Sequence, residues 1–451
     1  MKKINKLSLT ICLACLLVSS QLFSEKLILN PKQILDVNTG ELYESQILVE
    51  DKIIIKIDKD LSKKYRDIKL VNLPELTLIP GLMDSHVHLI GNTKLKGYES
   101  IGESSYLSTI YGVDNAKKTL LAGFTTVRNV GAGNYADVAL KEAIDRNLIL
   151  GPTMIVSGPA LGITGGHCDS NILPYDYEHK SQGVADGPWE VRKMVRKNRK
   201  YGANLIKFCA TGGVMSKNTN VNNKQYTLEE MRAIVDEAHS HGMKVAAHAH
   251  GLEGIKTAII AGVDSIEHAS YIDDETIELA KQRGTYLSMD VYVSDFILGE
   301  GKDQGILEES LKKERVVGKV QRQNFKKAVK ANAKISFGTD AGIYPHGKNA
   351  IQFKYMVEWG MTPLQAIQAS TVNTAELFGL ANTGKVNEGF EADIIGIKGN
   401  PLKDITVLED VTFVMKDGVI LNSFSSSNAI TCCKSSRFFP DTRSFSPCMA
   451  T

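Results

Sequence analysis

Between residues 82 and 339 the chain alternates strand-like and helix-like segments, and this alternation limits its fold more than any other feature. Eight segments read as strands: 82–88, 125–130, 153–157, 205–210, 244–250, 265–269, 286–292 and 334–339. Amphipathic stretches lie between them, among them 137–146, 189–201, 227–239 and 308–331. Thr227-Leu228-Glu229-Glu230 opens one of these with a capping-box pattern. Strands that alternate with helices pair in parallel, because each helix carries the chain back along the sheet. Eight such units in one run predict an α/β fold, a closed (β/α)8 TIM-like barrel with its chemistry at the carboxyl ends of the strands. An open doubly wound sheet is the competing architecture, but no GxGxxG follows the first strand.

The flanks differ in character. Segments 26–29, 46–50, 53–57, 69–72 and 76–79 read as strands with no intervening helix, separated by turns such as Asn38-Thr39-Gly40. They are too few to bury a core alone. Segments 393–397, 411–416 and 419–421 supply more, the last two joined by an Asp417-Gly418 hairpin turn. Together they predict a small β-sandwich built from both chain flanks, with residues 25–80 as its first part and 381–422 as its second, around a barrel over 81–380.

The two ends read differently again. Lys2, Lys3 and Lys6 precede an apolar run from Leu7 to Val18 and then Ser19, Ser20 and Ser24, the pattern of a secretory signal peptide over residues 1–24. An exported, periplasmic protein is therefore expected. Cys15 resembles a lipoprotein box only weakly, because the apolar run before it is short. Residues 423–451 are rich in Ser and Cys, lack periodicity and are predicted to be disordered. A net charge of +2 over 451 residues gives no reason to expect nucleic acid as partner. No stretch of the body approaches a transmembrane span. Of seven cysteines only Cys168 and Cys209 fall in the body, and their spacing alone predicts no bridge.

Chemistry enters at the first barrel strand. His86 and His88 alternate along it, so both imidazoles point the same way, an arrangement suited to a divalent metal such as zinc. Lys207 sits inside the apolar run Leu205-Ile206-Lys207-Phe208-Cys209, where an amine is costly unless paired, altered or snorkelling to the rim. Carbamylation by carbon dioxide would turn it into a carboxylate able to bridge two cations. His248 and His250 share a face of the fifth strand, His268 ends the sixth, and Asp340 follows the eighth. Such a set, gathered at the carboxyl ends of barrel strands, points to a metal site.

Four motifs then carry a resemblance. They are Pro80-Gly81-Leu82-Met83-Asp84-Ser85-His86-Val87-His88, Gly123-Phe124-Thr125-Thr126-Val127-Arg128-Asn129, Gly165-Gly166-His167 and Gly338-Thr339-Asp340-Ala341-Gly342. Over residues 25–422 the chain resembles the prolidase-like peptidase branch of the amidohydrolase superfamily of metal-dependent hydrolases. That branch includes dipeptidases, zinc-dependent arginine carboxypeptidases and ochratoxin-hydrolysing amidases. Residues 158–168 and 205–215 bring the chain closest to the arginine carboxypeptidase type.

The resemblance implies two zinc or other divalent ions. His86, His88 and Asp340 would hold the more buried one, His248 and His268 the second, and carboxylated Lys207 would bridge both. Choosing His248 over His250 rests on the family's placement of that ligand, which leaves His250 facing the substrate. His167 would polarise or hold the substrate, and Asp340 would pass a proton from water to the leaving amine. The two ions carry more charge than a carbamate, Asp340 and a hydroxide remove, which leaves a positive centre for an oxyanion. Arg128, His167 and His250 are candidates for a free α-carboxylate. Asp169, Asp290 and Asp295 are candidates for a basic side chain, and Tyr292 and Tyr344 either line the pocket or merely pack.

The implied activity is release of carboxyl-terminal Arg or Lys from short peptides or dipeptides. Within the branch the alternatives are an Xaa-Pro dipeptidase and an amidase acting on N-acyl amino acids. An inactive barrel serving as a binding protein is the alternative of another class. A homo-oligomer stays open.

Overall fold

The computed structural model describes residues 26–423. The expected signal peptide and the tail beyond Ser423, with five of the seven cysteines, lie outside the described residues. No helix among the described residues is long and apolar enough to cross a membrane.

The amino-terminal flank forms β1 (Lys26–Leu35), β2 (Leu42–Tyr43), β3 (Gln46–Glu50), β4 (Ile53–Asp58) and β5 (Lys69–Pro80). The barrel strands are β6 (Leu82–Val87), β7 (Phe124–Asn129), β8 (Thr153–Val156), β9 (Leu205–Cys209), β10 (Lys244–Ala249), β11 (Ser265–His268), β12 (Tyr286–Ser288) and β13 (Ile335–Ser336). The far flank adds β14 (Ile394–Lys398), β15 (Val411–Lys416) and β16 (Val419–Ser423).

Both flanks meet in one eight-stranded sheet of order β16-β15-β14-β5-β1-β3-β4, with β2 on β1. The join is the antiparallel pairing of β14 with β5. Leu27, Leu29, Ile47 and Val49 from one flank share an apolar cluster with Ile394, Phe413 and Met415 from the other. Neither flank could bury these residues alone. Segments 69–72 and 76–79 are one strand, running through Pro74. The pairing of β1 with β5 steps from Pro31↔Leu73 to Gln33↔Thr77, and this bulge takes in the proline, which has no N–H to donate. At the Asp417-Gly418 turn both residues have positive φ, 50° and 74°, as a tight hairpin turn demands.

The barrel closes through two seams. β6-β7-β8 form one parallel sheet and β9-β10-β11-β12-β13 another. Parallel bridges Leu161↔Phe208 and Val87↔Ala341 join them into a cycle, the second seam reinforced by Ser85 N–H donating to the Phe337 carbonyl at 2.7 Å. The result is a (β/α)8 barrel. Its seventh and eighth strands are shorter than the sequence suggests, because the chain leaves β12 for the helix Val293–Gly299 and leaves β13 for the turn that carries Asp340.

The helix Leu228–Ser240 bears out the capping box: Thr227 Oγ1 accepts from Glu230 N–H at 3.2 Å, and Glu230 Oε2 accepts from Thr227 N–H at 2.8 Å. Thr227→Ala is expected to lower stability by about 1 kcal/mol. Urea unfolding would register this as a lower midpoint at unchanged slope.

Candidate metal centre

The carboxyl-terminal ends of β6, β9, β10 and β11 and the turn after β13 open onto one cavity of about 670 Å³. His86, His88, His167, Lys207, His248, His268 and Asp340 all line it. Hydrogen bonds at one ring nitrogen orient the other. His86 Nδ1–H donates to Glu267 Oε2 at 2.9 Å and His88 Nδ1–H to the Gly131 carbonyl at 3.4 Å. The Nε2 atoms of these two histidines then lie 3.5 and 3.4 Å from the same oxygen, Asp340 Oδ1. His268 Nδ1 is 3.0 Å from both Asp290 oxygens, which frees its Nε2. His248 Nε2 lies 3.3 Å from the Gly212 carbonyl, which frees its Nδ1. Imidazoles held in this way by outer acceptors are the usual form of metal-ligating histidine.

Two donor groups have the compactness a cation needs. The donor atoms of His86, His88 and Asp340 lie within 4.8 Å of one another, and so do those of His248, His250 and His268. A third such group, His268, Asp290 and Asp340, connects them. The backbone bends sharply to achieve this. Strand alternation would send His268 to the face opposite Glu267, yet both side chains point into the barrel. His268 has a φ of 69°, Ala269 47° and Asp340 56°, left-handed values that cost free energy in residues other than glycine.

The electrostatics favour neutral imidazoles at His86, His88, His167 and His248, whereas at His268 burial is outweighed by Asp290 and Asp340, which raise its pKa. Burial, aided by the Lys207 charge, takes His86 down to about 3. Burial and His268 take His167 to about 3 as well. Burial, opposed by His268 and reinforced by Asp290, pushes Asp340 up to about 7. Lys207 is 4% exposed, and its Nζ has no hydrogen-bond or ion-pair partner among the described residues. Burial brings it down to about 8 against the pull of Glu267 and Asp340. The neutral amine this favours is the form that adds carbon dioxide.

Several expected substrate contacts lie elsewhere. Arg128 is 1% exposed and does not line the cavity. It donates to the Ser85 carbonyl at 2.6 Å, Ser265 Oγ at 3.0 Å and Glu267 Oε1 at 2.7 Å, so it braces the barrel interior. Asp290 is buried against His268 and accepts from Gln321 Nε2 at 2.7 Å, which leaves it closed to a substrate cation. His250 is also buried, shares a 2.8 Å hydrogen bond with Ser270 Oγ and stacks on His268 instead of lining the cavity. His167 does face the cavity, its ring 4.1 Å from that of His248 and its Nδ1 2.8 Å from Ser216 Oγ. Asp169 accepts the backbone N–H groups of Gly165, Ser170 and Ser181, and Asp295 pairs with Arg322. Tyr292 and Tyr344 pack edge to face, with ring centroids 5.0 Å apart.

Cys168 and Cys209 form a disulfide, a pairing that their spacing in the sequence could not assign. They are 41 residues apart, but the loop after β8 folds back along β9 through the Leu161↔Phe208 bridge. The cross-link fixes the loop bearing His167 to the strand bearing Lys207.

Two positioning groups escaped the sequence reading. Glu267 joins His86, Arg128 and Ser265 at one buried carboxylate, and its only signal was an acid inside a strand next to His268. Asp84 accepts from His86 N–H at 3.1 Å, Thr339 Oγ1 at 2.6 Å and Asn349 Nδ2 at 2.8 Å, which ties β6 to the turn of Asp340.

Comparison with known proteins follows the same lines. The sequence model of the amidohydrolase family matches residues 77–422. Ochratoxinase of Aspergillus niger is 36% identical over 404 residues, covering 84% of this chain and 82% of that protein. Enamidase of Eubacterium barkeri is 25% identical over 385 residues, 82% of this chain and 85% of that protein. Among solved structures, a Xaa-Pro dipeptidase with methionine bound in its active site matches with a TM-score of 0.84 at 37% identity, covering 88% of this chain and 100% of that one. A prolidase complexed with N-methylphosphonate-L-proline matches with a TM-score of 0.80 at 28% identity, covering 88% and 100%.

Proposed function

Because this chain belongs to the amidohydrolase family, we propose that it is a metal-dependent hydrolase of short peptides and N-acyl amino acids, cutting the amide bond to a carboxyl-terminal residue with an uncharged side chain. The observation that carries the reading is the convergence of His86, His88, Lys207, His248, His268 and Asp340 on one cavity, with outer acceptors orienting the imidazoles.

This donor set fits divalent cations. Imidazoles are gathered with buried carboxylates, those of His86, His88 and His248 held in the neutral form by burial, and Asp340 is pushed up to about 7 where no cation compensates its charge. His86, His88 and Asp340 would hold one ion, His248 and His268 a second, with carboxylated Lys207 between them. When bound, such ions, zinc foremost, acidify water and polarise a carbonyl. Asp340 would take the proton from the attacking water and return it to the nitrogen of the departing amine. His167, whose ring lies 4.1 Å from that of His248, would hold the substrate carbonyl. Glu267 and Asp290 keep His86 and His268 in register and have no contact with substrate in this scheme.

Side-chain preference follows from what the wall lacks. Asp340 is the sole carboxylate among the described lining residues, and it belongs to the metal centre. The three aspartates that could have received a basic side chain are bonded elsewhere. These features favour an uncharged carboxyl-terminal residue, such as proline or methionine, over Arg or Lys, in keeping with the Xaa-Pro dipeptidase and its bound methionine and with the prolidase compared above.

Matched Xaa-Pro, Xaa-Met, Xaa-Arg and Xaa-Lys dipeptides, assayed on protein loaded with zinc and bicarbonate, test this directly. The expected result is about two equivalents of metal. For Xaa-Pro and Xaa-Met, kcat/KM should lie about tenfold or more above that for Xaa-Arg. A preference for Xaa-Arg would restore the arginine carboxypeptidase reading. Less than one equivalent of metal with no turnover would instead favour the inactive scaffold.

A further inference from the structure

A substrate of this class carries a free α-carboxylate beside the amide that is cut. Of the three expected partners, Arg128 is sealed in the barrel interior, His250 is buried off the cavity, and His167 lines the cavity but is held in its neutral form by burial. The described residues lining the cavity include three with formal charge: Lys180, Lys207 and Asp340. Lys207 and Asp340 are committed to the metal centre. Lys180 is not: it is exposed, and among the described residues its Nζ has no acidic or hydrogen-bonding partner. An amine in that state, at a cavity whose one carboxylate among the described lining residues, Asp340, belongs to the metal centre, is open to an anion.

Lys180 also sits on a stretch that is unusually well held for a long loop. Ser181 N–H donates to Asp169 Oδ1 at 2.9 Å. The same carboxylate takes the Gly165 and Ser170 N–H groups at 3.0 and 2.8 Å. Gln182 clamps Asn134 twice, accepting from its N–H at 2.6 Å and donating to its Oδ1 at 2.7 Å. Gly183 is pressed so close to the Ala160 carbonyl oxygen that a Cβ would stand 1.8 Å from it. Beside Asp169, the Cys168–Cys209 disulfide fastens the loop to β9. Polar groups that could have faced water instead fix the backbone on which Lys180 stands.

We propose that Lys180 anchors the substrate's α-carboxylate and so restricts the enzyme to amides of free amino acids. The inference rests on the function proposed above and goes further, because it names a specificity-determining residue and an anionic substrate class.

Kinetics of Ala-Pro against its carboxyl-amidated form, Ala-Pro-amide, with wild type, Lys180→Gln and Lys180→Arg form the test. Wild type should favour the free acid by about tenfold. In Lys180→Gln, KM for Ala-Pro should rise about tenfold with kcat nearly unchanged, while Ala-Pro-amide is unaffected and Lys180→Arg retains the wild-type preference. Added salt should raise KM for Ala-Pro in wild type and not in Lys180→Gln. An unchanged KM for Ala-Pro in Lys180→Gln, or an equal loss on both substrates, would overturn the anchor. Calorimetry of L-proline and L-prolinamide binding separates this from the functional reading. If neither peptide is cleaved, that reading fails, yet weaker binding of proline alone by Lys180→Gln would still support the anchor. Equal binding of both ligands by both proteins would refute it.

Discussion

Lys207→Ala is expected to lower kcat/KM by about a thousandfold or more and to leave the protein folded but short of metal. The side chain is buried at mid-strand, with both histidine groups around it and no ion-pair partner among the described residues. Such a lysine is unfavourable in a plain core, because removing an amine from water costs several kcal/mol unless something compensates. A carbamate held between two cations would supply that compensation. Alanine would leave both a cavity and a missing negative charge, so acetate or propionate should recover part of the activity and raise metal content together. Zinc stoichiometry by elemental analysis, with and without the acid, reads this apart from kinetics. Wild-type turnover in the variant would remove Lys207 from the centre.

Glu267→Ala should produce the largest loss of stability, about 3–5 kcal/mol. The fully buried carboxylate holds Arg128 Nη2 at 2.7 Å, His86 Nδ1 at 2.9 Å and Ser265 Oγ at 2.5 Å. Its removal strands a guanidinium that is 1% exposed, which is far costlier than never having buried the pair. His86 loses its outer acceptor at the same time, so zinc affinity should fall by about 10–100-fold. Glu267→Gln preserves shape and one acceptor and should fall between the two. Urea unfolding and competition with a chromophoric chelator measure the two effects separately. A stability loss under about 1 kcal/mol would show that Arg128 has another source of compensation.

The pH dependence of the Glu267 contribution has a definite sign. Burial alone would raise its pKa, but Arg128 and His86 hold it well below the usual range. A depressed folded-state value stabilises the protein above the unfolded value, about 4.3, and the contribution fades only as pH falls further toward the folded one. Neutral solutions should therefore show the full mutational cost.

Much of the architecture was legible beforehand because hydrophobic period and turn chemistry are local. The capping box at Thr227, the Asp417-Gly418 hairpin and the barrel strands all follow from neighbours in the chain. Strand ends were less legible where tertiary geometry overrides alternation. His268 faces the cavity only because its backbone turns left-handed, and the strand through Pro74 continues only because a bulge takes in the proline. Residue roles were least legible of all. Arg128 and Asp290 were named as substrate contacts, and both proved to be buried partners of other site residues. Which face of a barrel wall a charged group meets depends on strand register and closure, neither of which is local.

The sequence by itself determined the donor inventory: two alternating histidines, a lysine inside an apolar strand, three later histidines and an aspartate, each tied by period to a strand end. Only the tertiary structure decided which nitrogen of each imidazole is free, that Glu267 and Asp290 hold the outer ones, and that Cys168 meets Cys209. It also decided that Lys180, 52 residues after Arg128, lines the cavity while Arg128 does not. The physical reason is common to all of these. Side-chain type and spacing are carried by the covalent chain, whereas burial, pairing and direction arise when the barrel closes and brings distant strands into hydrogen-bonding register.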